Sequence, residues 1–529
     1  MEFRSFFVIF ASNTEICPVR ACRNEPMSKR TGNKTHVSTS NYARVIKYLG
    51  IFGGAQGVSV LLSMVRNKLA WVLLGAGGFG IIAMYNRTVQ LFCDTTGLSL
   101  SLSAVRRLSD TYCNGDEADV RHCVKVVRSI ALLTGIVGML LMMAMSPLLS
   151  QWIFDGGTGD IVGLLLVAPA VFFIAVSGGE LAVLRGVNQP GRIAFYTLWT
   201  AVSAVLVTAP LYYFFGAAGI IPSIFLVALL QLAGTLFFST RLYAYRANPF
   251  SRALLSEGAD IIKLGAGYIY ATILVSGSIW LIYQVITKNY GDSAVGIFSA
   301  GYLLVGMLPS ILFAAFDSDY YPRLSGVFAH KDERNAMVNE HIEAHLLIQA
   351  PVYLCVITIL PWLFPLFFSL ESMPALEMAQ IAVFALMFHT MTYPISFMPV
   401  SKGETVTFAL QETVYNVEFV LFTLLGFRYY GWLGAGVGMA MARVLDLLVV
   451  YLIARVRYGF RLSDKAVRNF AMAMCAGGIV LTAALCAGYF HWMRYVGFAV
   501  AVLAVANSLY RLSQHGKLFA FLYKRIFKK

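Results

Sequence analysis

Three groups of polar side chains stand inside long apolar runs of this chain, and their spacing bears on what chemistry they could do. Arg87, Gln90, Asp94 and Ser101 follow one another at offsets of three, four and seven, which on a helix places them on one face. Arg87 and Asp94 lie too deep in their run for both heads to reach water. They are either an internal ion pair that holds helices together or the lining of a polar cleft. Gln411, Tyr415 and Glu418, with Glu412 and Asn416 beside them, give a second run a broad polar face of amide, hydroxyl and carboxylate groups. Arg443 and Asp446, three residues apart, form the third group, again a buried pair or cleft lining. Arg66 lies about 20 residues into the first run, in the far half of a bilayer at ~1.5 Å per residue. There it either snorkels beside Lys68 or stands in a cleft as a cation. Asp317, Asp319 and Arg323 gather at the end of another run, as an interfacial cap and salt bridge or as a gate.

Other patterns carry less. Gly75, Gly77 and Gly80 match a dinucleotide-binding loop, but no strand precedes them and they join two apolar runs. His341 and His345 are spaced like metal ligands yet read as the polar lead-in to a run, so no metal is expected. His389 stands alone and reads as a hydrogen-bonded core histidine rather than a proton carrier. Glu180, near Arg185 at the end of a run, reads as interfacial. The eight cysteines are scattered and read as small apolar residues, neither metal ligands nor disulfides. No Walker A pattern occurs, so ATP does not act directly through this chain.

The elements that must position these groups follow from composition. Of 529 residues, 58% are apolar and 13% charged, and the mean hydropathy is +0.70. A soluble domain is about half apolar and a quarter charged. Many of the apolar blocks approach the ~20 residues that cross a hydrocarbon core, and none alternates with a period of two. The fold class is therefore all-α and integral to the membrane, with about fourteen crossing helices. Their expected positions are 45–74, 80–105, 124–149, 161–184, 193–215, 217–240, 262–286, 294–316, 346–370, 375–400, 405–427, 431–454, 470–490 and 496–509.

With the N-terminus inside, one set of connections holds Arg106, Arg107, Arg121, Lys125, Arg128, Arg241, Arg246, Arg334, Arg455 and Arg457, and the tail from Arg511. The opposite set holds only Lys288, Arg428 and Arg494. That asymmetry is the positive-inside pattern, with both termini cytoplasmic. It accounts for the net charge of +14 without nucleic acid. The outer connections are short, which leaves no room there for a catalytic domain. Residues 1–44 read as a cytoplasmic segment, of which 1–26 are either a disordered extension or an over-long start, since Met27 opens a second plausible beginning.

An internal repeat organises the rest. Gly80-Ile81 recurs as Gly296-Ile297, Arg107-Leu108-Ser109 as Arg323-Leu324-Ser325, and Asp116-Glu117 as Asp332-Glu333, all at an offset of 216. Six helices separate the copies, so both enter the membrane in the same sense. This gives an N-lobe at 45–240, a cytoplasmic linker at 241–261, a C-lobe at 262–455, a further helix pair at 468–510 and a basic tail at 511–529. Two parallel six-helix lobes flanking a cleft form a transporter architecture.

The stretches Gly53-Gly54-Ala55-Gln56, Met64-Val65-Arg66-Asn67-Lys68 and Val72-Leu73-Leu74-Gly75 resemble the first helix of bacterial polysaccharide flippases. Asp319-Tyr320-Tyr321-Pro322-Arg323-Leu324-Ser325, with Asn339-Glu340 downstream, resembles their O-antigen translocase branch, in the multidrug/oligosaccharidyl-lipid/polysaccharide exporter superfamily. The resemblance covers about residues 45–454. It implies transfer of an undecaprenyl-diphosphate-linked oligosaccharide across the bacterial inner membrane by alternating access. The implied partners are membrane lipids, a polysaccharide polymerase and chain-length proteins. No cofactor is implied, and the driving force is left open between H+, Na+ and the membrane potential. Under this resemblance Arg66, Arg87, Gln90, Asp94, Gln411, Glu418 and Arg443 bind substrate, the arginines taking the diphosphate and the amide and hydroxyl groups the sugar. Asp317, Asp319, Arg323 and Asp446 are gating or structural. The competing readings are an ion-coupled multidrug exporter on the same scaffold, which favours an acidic, aromatic cleft, and a polyprenol-dependent enzyme, which needs a large outer loop.

Overall fold

Apolar runs of this length satisfy their backbone in lipid only by closing helical hydrogen bonds within themselves. The computed structural model describes residues 39–97, 100–153, 158–488 and 490–515, and shows helices and no strand among the described residues. Side chains at 39–53, 101–102, 114, 252, 255, 260, 263–268, 307–319, 321–322 and 513–515 lie outside the description, as do residues 1–26 and the tail beyond 515.

In order the helices are α1 (Thr39–Thr96), α2 (Leu100–Asn114), α3 (Glu117–Ile153), α4 (Thr158–Gly186), α5 (Pro190–Phe215), α6 (Ile220–Thr240) and α7 (Arg252–Glu257). Then come α8 (Ala259–Tyr290), α9 (Asp292–Val327), α10 (Lys331–Phe367), α11 (Ala375–Lys402), α12 (Thr405–Tyr458), α13 (Asp464–Cys486) and α14 (Met493–His515). Among the described residues ten helices are long and apolar enough to cross a membrane, and Asp292–Gly306 is a shorter apolar one. Three of the ten are broken internally: Gly54–Thr96 at Gly75, Pro190–Thr240 at the 3-10 turn Gly216–Gly219, and Thr405–Tyr458 at Tyr430 and Gly431. Read as paired arms, these are broadly consistent with the fourteen crossings expected. Gly75 sits at φ 69°, where a side chain is strained, so the glycines that imitate a nucleotide loop serve a turn between two helical arms.

The chain divides into two compact units, the first ending at Ser276 and the second beginning at Gly277, inside α8. In the first, α1 packs on α5, α3 on α4, and α4 on α6. Leu108, Val124, Val127, Ile130, Val183 and Leu254 fill its core. In the second, α11 lies along α12, α10 and α9, and α13 and α14 pack on α10. Leu324, Ile342, Ile395, Met398 and Phe460 fill that core.

The 216-residue register has a structural meaning within each unit. Leu108 and Leu324 are both wholly buried in their own cores. The repeated acids open α3 and α10, where Glu117 and Asp332 with Glu333 lie in the first turn and complement the positive helix end. A further repeat, at an offset of 215, is the corner that closes a helix pair: Phe214-Phe215-Gly216-Ala217-Ala218-Gly219 and Tyr429-Tyr430-Gly431-Trp432-Leu433-Gly434. Gly216 and Gly431 take φ 55° and 60°. A Cβ on Gly219 would overlap the carbonyl of Leu211, and one on Gly434 that of Gly426, so the second glycine lets the arms close. The two aromatic residues before each corner are exposed, as side chains at a lipid headgroup level are.

Each unit also ties the exit of its last arm to its third crossing helix. Arg128 on α3 donates to the carbonyls of Ala244 at 2.8 Å and Tyr243 at 3.2 Å. Arg334 on α10 donates to the carbonyl of Tyr458 at 2.5 Å, and Asn339 to that of Arg461 at 2.9 Å. In the second unit the tie is reinforced by Glu404, between α11 and α12. Its carboxylate meets Lys402 Nζ at 2.7 Å, the Tyr458 hydroxyl at 2.6 Å and Arg457 Nε at 2.7 Å. Those donors, Lys402 first and Tyr458 next, hold its carboxyl down to about 2 from an ordinary 4.5. A carboxyl lowered on folding contributes stability that is fully present above its unfolded value and fades as pH falls through the folded one. The expected result is a loss of thermal stability as pH drops from 4.5 towards about 2, with Glu404→Gln flattening that slope; equal slopes would show that the turn carries none of it.

Candidate functional site

The first unit gathers its polar groups on α1. Arg66 stands nine residues before the Gly75 turn and Arg87 twelve after it, about 13 and 18 Å along their arms at ~1.5 Å per residue. Arg66 is partly buried and close enough to the Tyr212 phenol of α5 to interact electrostatically. The Tyr212 hydroxyl shares a 3.0 Å hydrogen bond with Ser223 of α6. A guanidinium among aromatic and hydroxyl groups is an anion receptor in the making.

On the second arm Gln90 donates to Asp94 Oδ1 at 2.8 Å, and the Ser276 hydroxyl of α8 donates to Asp94 Oδ2. Arg87 lies within electrostatic range of Asp94. The expected face of α1 holds together through Asp94; α1 ends at Thr96 and α2 begins at Leu100, and the Ser101 side chain lies outside the description. Gly97 N–H closes on the Cys93 carbonyl at 2.8 Å at that break. Ser276 was invisible in the sequence, being 182 residues away from its partner.

The second unit gathers its groups on α12 and α11. Arg443 Nη1 lies 3.6 Å from Asp446 Oδ2 and 3.0 Å from Nδ1 of His389, and its guanidinium stacks 4.3 Å over the Tyr415 ring. His389 is thus a hydrogen-bonded core histidine, as its isolation suggested. Glu418 lies within electrostatic range of Asp446. Gln411, Tyr415 and Glu418 share one face of the helix. Gln411 Oε1 and Glu418 Oε2 are buried and have no hydrogen-bond partner among the described residues. Two turns apart, they are acceptors waiting for a donor.

Two further groups stand differently from expectation, and a third lies mostly outside the description. Glu180 is not interfacial: it is 1% exposed, bound to Arg128 through Nε–Oε1 at 2.8 Å and Nη2–Oε2 at 3.0 Å, with Ser239 donating to the same carboxylate. His345 is not on a polar lead-in, because α10 is already 14 residues old there and the side chain is wholly buried. Asp317 and Asp319 fall among the side chains outside the description, and Arg323 is exposed.

A family model described as "Polysaccharide biosynthesis protein" matches residues 69–373. A search of curated proteins returns no match. Among solved structures the chain is similar to a lipid II flippase MurJ in an inward closed conformation, at 12% identity and TM-score 0.63, over 90% of this chain and 99% of that one. It is also similar to a multidrug resistance MATE family transporter of the MOP superfamily. The inward-facing form matches at 14% identity and TM-score 0.57, over 78% of this chain and 94% of that one. The outward-facing form matches at 15% identity and TM-score 0.54, over 79% and 95%. At such identities the likeness is one of fold.

Proposed function

Because the chain belongs to the polysaccharide biosynthesis protein family, and folds as transporters and flippases do, we propose that it moves a lipid-linked oligosaccharide across a membrane. The substrate in this reading is an undecaprenyl-diphosphate-linked repeat unit of the O-antigen kind, the membrane is the bacterial inner membrane, and the two six-helix lobes alternate access. Both termini are cytoplasmic, on the strength of the basic connections. A polymerase and chain-length proteins receive the product.

The observation that carries the reading is the division of chemistry between the units. The first supplies guanidinium groups, Arg66 and Arg87, suited to a diphosphate. The second supplies buried acceptors, Gln411 Oε1 and Glu418 Oε2, suited to sugar hydroxyls. Gln90 and Asp94 extend the first set, and Arg443 with Asp446 the second. An exporter of small cations would draw on Asp94, Glu412, Glu418 and Asp446, but Arg87 lies within electrostatic range of the first, and Arg443 lying over Tyr415 occupies an aromatic ring that a cation would need. A deletion strain tests the proposal. The expected result is lipid-linked repeat units accumulating on the inner leaflet with surface polysaccharide lost. Unchanged surface polysaccharide together with sensitivity to cationic dyes would transfer the assignment to a drug exporter.

A further inference from the structure

Two arginines of the first unit hold fixed positions at the end of an exposed apolar seam, and neither is paired with a carboxylate among the described residues. Arg192, in the first turn of α5, donates through Nη1 to the Phe238 carbonyl of α6 at 2.9 Å. Arg241, which follows α6, lies 4.0 Å over the Phe237 ring, a cation–π contact. Consecutive residues of α6 thus hold the two guanidiniums, and the Phe237 and Phe238 rings meet edge to face at 5.3 Å. Arg128 in the same unit spends its donors on Glu180, Ser239 and two carbonyls. Arg192 makes one hydrogen bond and Arg241 meets one ring, so most of the N–H donors of each stay open.

The seam runs away from these charges along both helices, which pack on each other. On α5, Phe195, Trp199 and Leu206 are exposed and follow Arg192 at offsets of three, seven and fourteen, so they share its face. On α6, Phe237, Ala233 and Leu226 are exposed and precede Arg241 at offsets of four, eight and fifteen. Phe195 to Leu206 and Phe237 to Leu226 each span eleven residues, about 16 Å along a helix. One leaflet of a ~30 Å hydrocarbon core is about as deep. Trp199 makes the floor between the stripes. Its indole closes on α6 at Gly234, where a Cβ would strike it, and Nε1 donates to the Leu230 carbonyl at 3.0 Å. With that N–H satisfied, the indole offers a flat apolar face to whatever lies on the seam.

We propose that this seam binds one anionic glycerophospholipid of the surrounding membrane, its phosphodiester held between Arg192 and Arg241 and one acyl chain lying along each helix. A guanidinium matches phosphate oxygens with a fork of donors, and basic sites between membrane helices attract acidic headgroups. Two stripes, each a leaflet deep, suit two acyl chains; a polyprenyl lipid has a single chain and would leave one stripe empty. Arginines that only snorkel are free to wander in the headgroup layer, whereas these two are held by α6. The same helices carry Tyr212 and Ser223, hydrogen-bonded at 3.0 Å, so the lipid braces the pair that Arg66 approaches. The site does not depend on what the chain transports.

The test is native mass spectrometry of the full chain released from detergent micelles, titrated with phosphatidylglycerol and, separately, with phosphatidylcholine of the same acyl chains. The expected result is one phosphatidylglycerol retained per chain, about tenfold more tightly than phosphatidylcholine. Arg192→Gln with Arg241→Gln removes both charges, keeps an amide donor for the Phe238 carbonyl, and should abolish that preference. Arg121→Gln, at the exposed start of α3, should leave it intact. Should the double variant fail to fold, Arg241→Gln alone, which gives up only a ring contact, should still weaken phosphatidylglycerol retention more than phosphatidylcholine retention. Equal retention of the two lipids by the parent chain, or a preference that survives these substitutions, would overturn the proposal and reduce the seam to ordinary lipid contact. Arginine-dependent retention of a polyprenyl diphosphate in preference to phosphatidylglycerol would overturn it as well, and would give the seam to the transported lipid.

Discussion

Replacing Arg66 and Arg87 together by alanine is expected to remove surface polysaccharide while the protein still reaches the membrane in normal amount. Each guanidinium offers a planar fork of donors that matches phosphate oxygens and stays charged at any relevant pH. A hydrogen bond to a charged group is worth about 1.5–3 kcal/mol, so losing one such group weakens capture of an anionic head by about ten- to a hundredfold, and losing both does so more severely. Lysine keeps the charge and loses the fork, so Arg66→Lys and Arg87→Lys should fall between alanine and the parent chain. Arg66 lies within electrostatic range of the Tyr212 phenol. Unchanged polysaccharide in the double alanine variant would make both residues interfacial anchors. Disappearance of the protein from the membrane at either position would instead assign that arginine to structure.

Arg128→Ala and Glu180→Ala are expected to give that second phenotype, the opposite of the first. Both side chains are 1% exposed, and the guanidinium also holds the Tyr243 and Ala244 carbonyls. Removing one partner strands a buried charge, a loss of about 3–5 kcal/mol, comparable with much of the stability of an ordinary domain. The single variants should vanish from membranes or melt well below the parent. The double variant Arg128→Met with Glu180→Leu removes both charges and keeps the volume, so it should recover much of the loss. If the singles are as abundant as the parent, the pair is not what ties α3 to α4 and to the exit of α6.

The features that could be read in the sequence were those local along the chain. Long apolar blocks force helices because lipid supplies no hydrogen-bond partners, and the three-residue spacing of Arg443 and Asp446 translates directly into a contact. The common register of Leu108 and Leu324 was visible because burial preserves residue type at a fixed offset. Partnerships across long loops were not visible. Glu180 sits five residues from Arg185 but pairs with Arg128, 52 residues earlier, and nothing in its neighbourhood signals that. The burial of His345 is not legible because a polar stretch opening a membrane helix has the same composition whether it faces water or, as here, packs against Tyr393 of α11.

The paired corners at Gly216 and Gly431 bear on how the chain came to be. An ancestral half, doubled end to end, leaves two copies free to diverge wherever geometry does not object. The corner objects, since a side chain on Gly219 or Gly434 would strike backbone, and there the copies still match. The polar groups were free. At the offset of 216 Arg66 and Arg87 correspond to Ile282 and Leu303, and at the corner's offset of 215 Arg443 and Asp446 correspond to Ala228 and Gln231. The frame is thus present in duplicate while the polar groups differ, the earlier half carrying Arg66 and Arg87 with Asp94 and the later one Arg443 with Asp446. A homodimer of identical halves could not do this, because every substitution would appear on both sides at once.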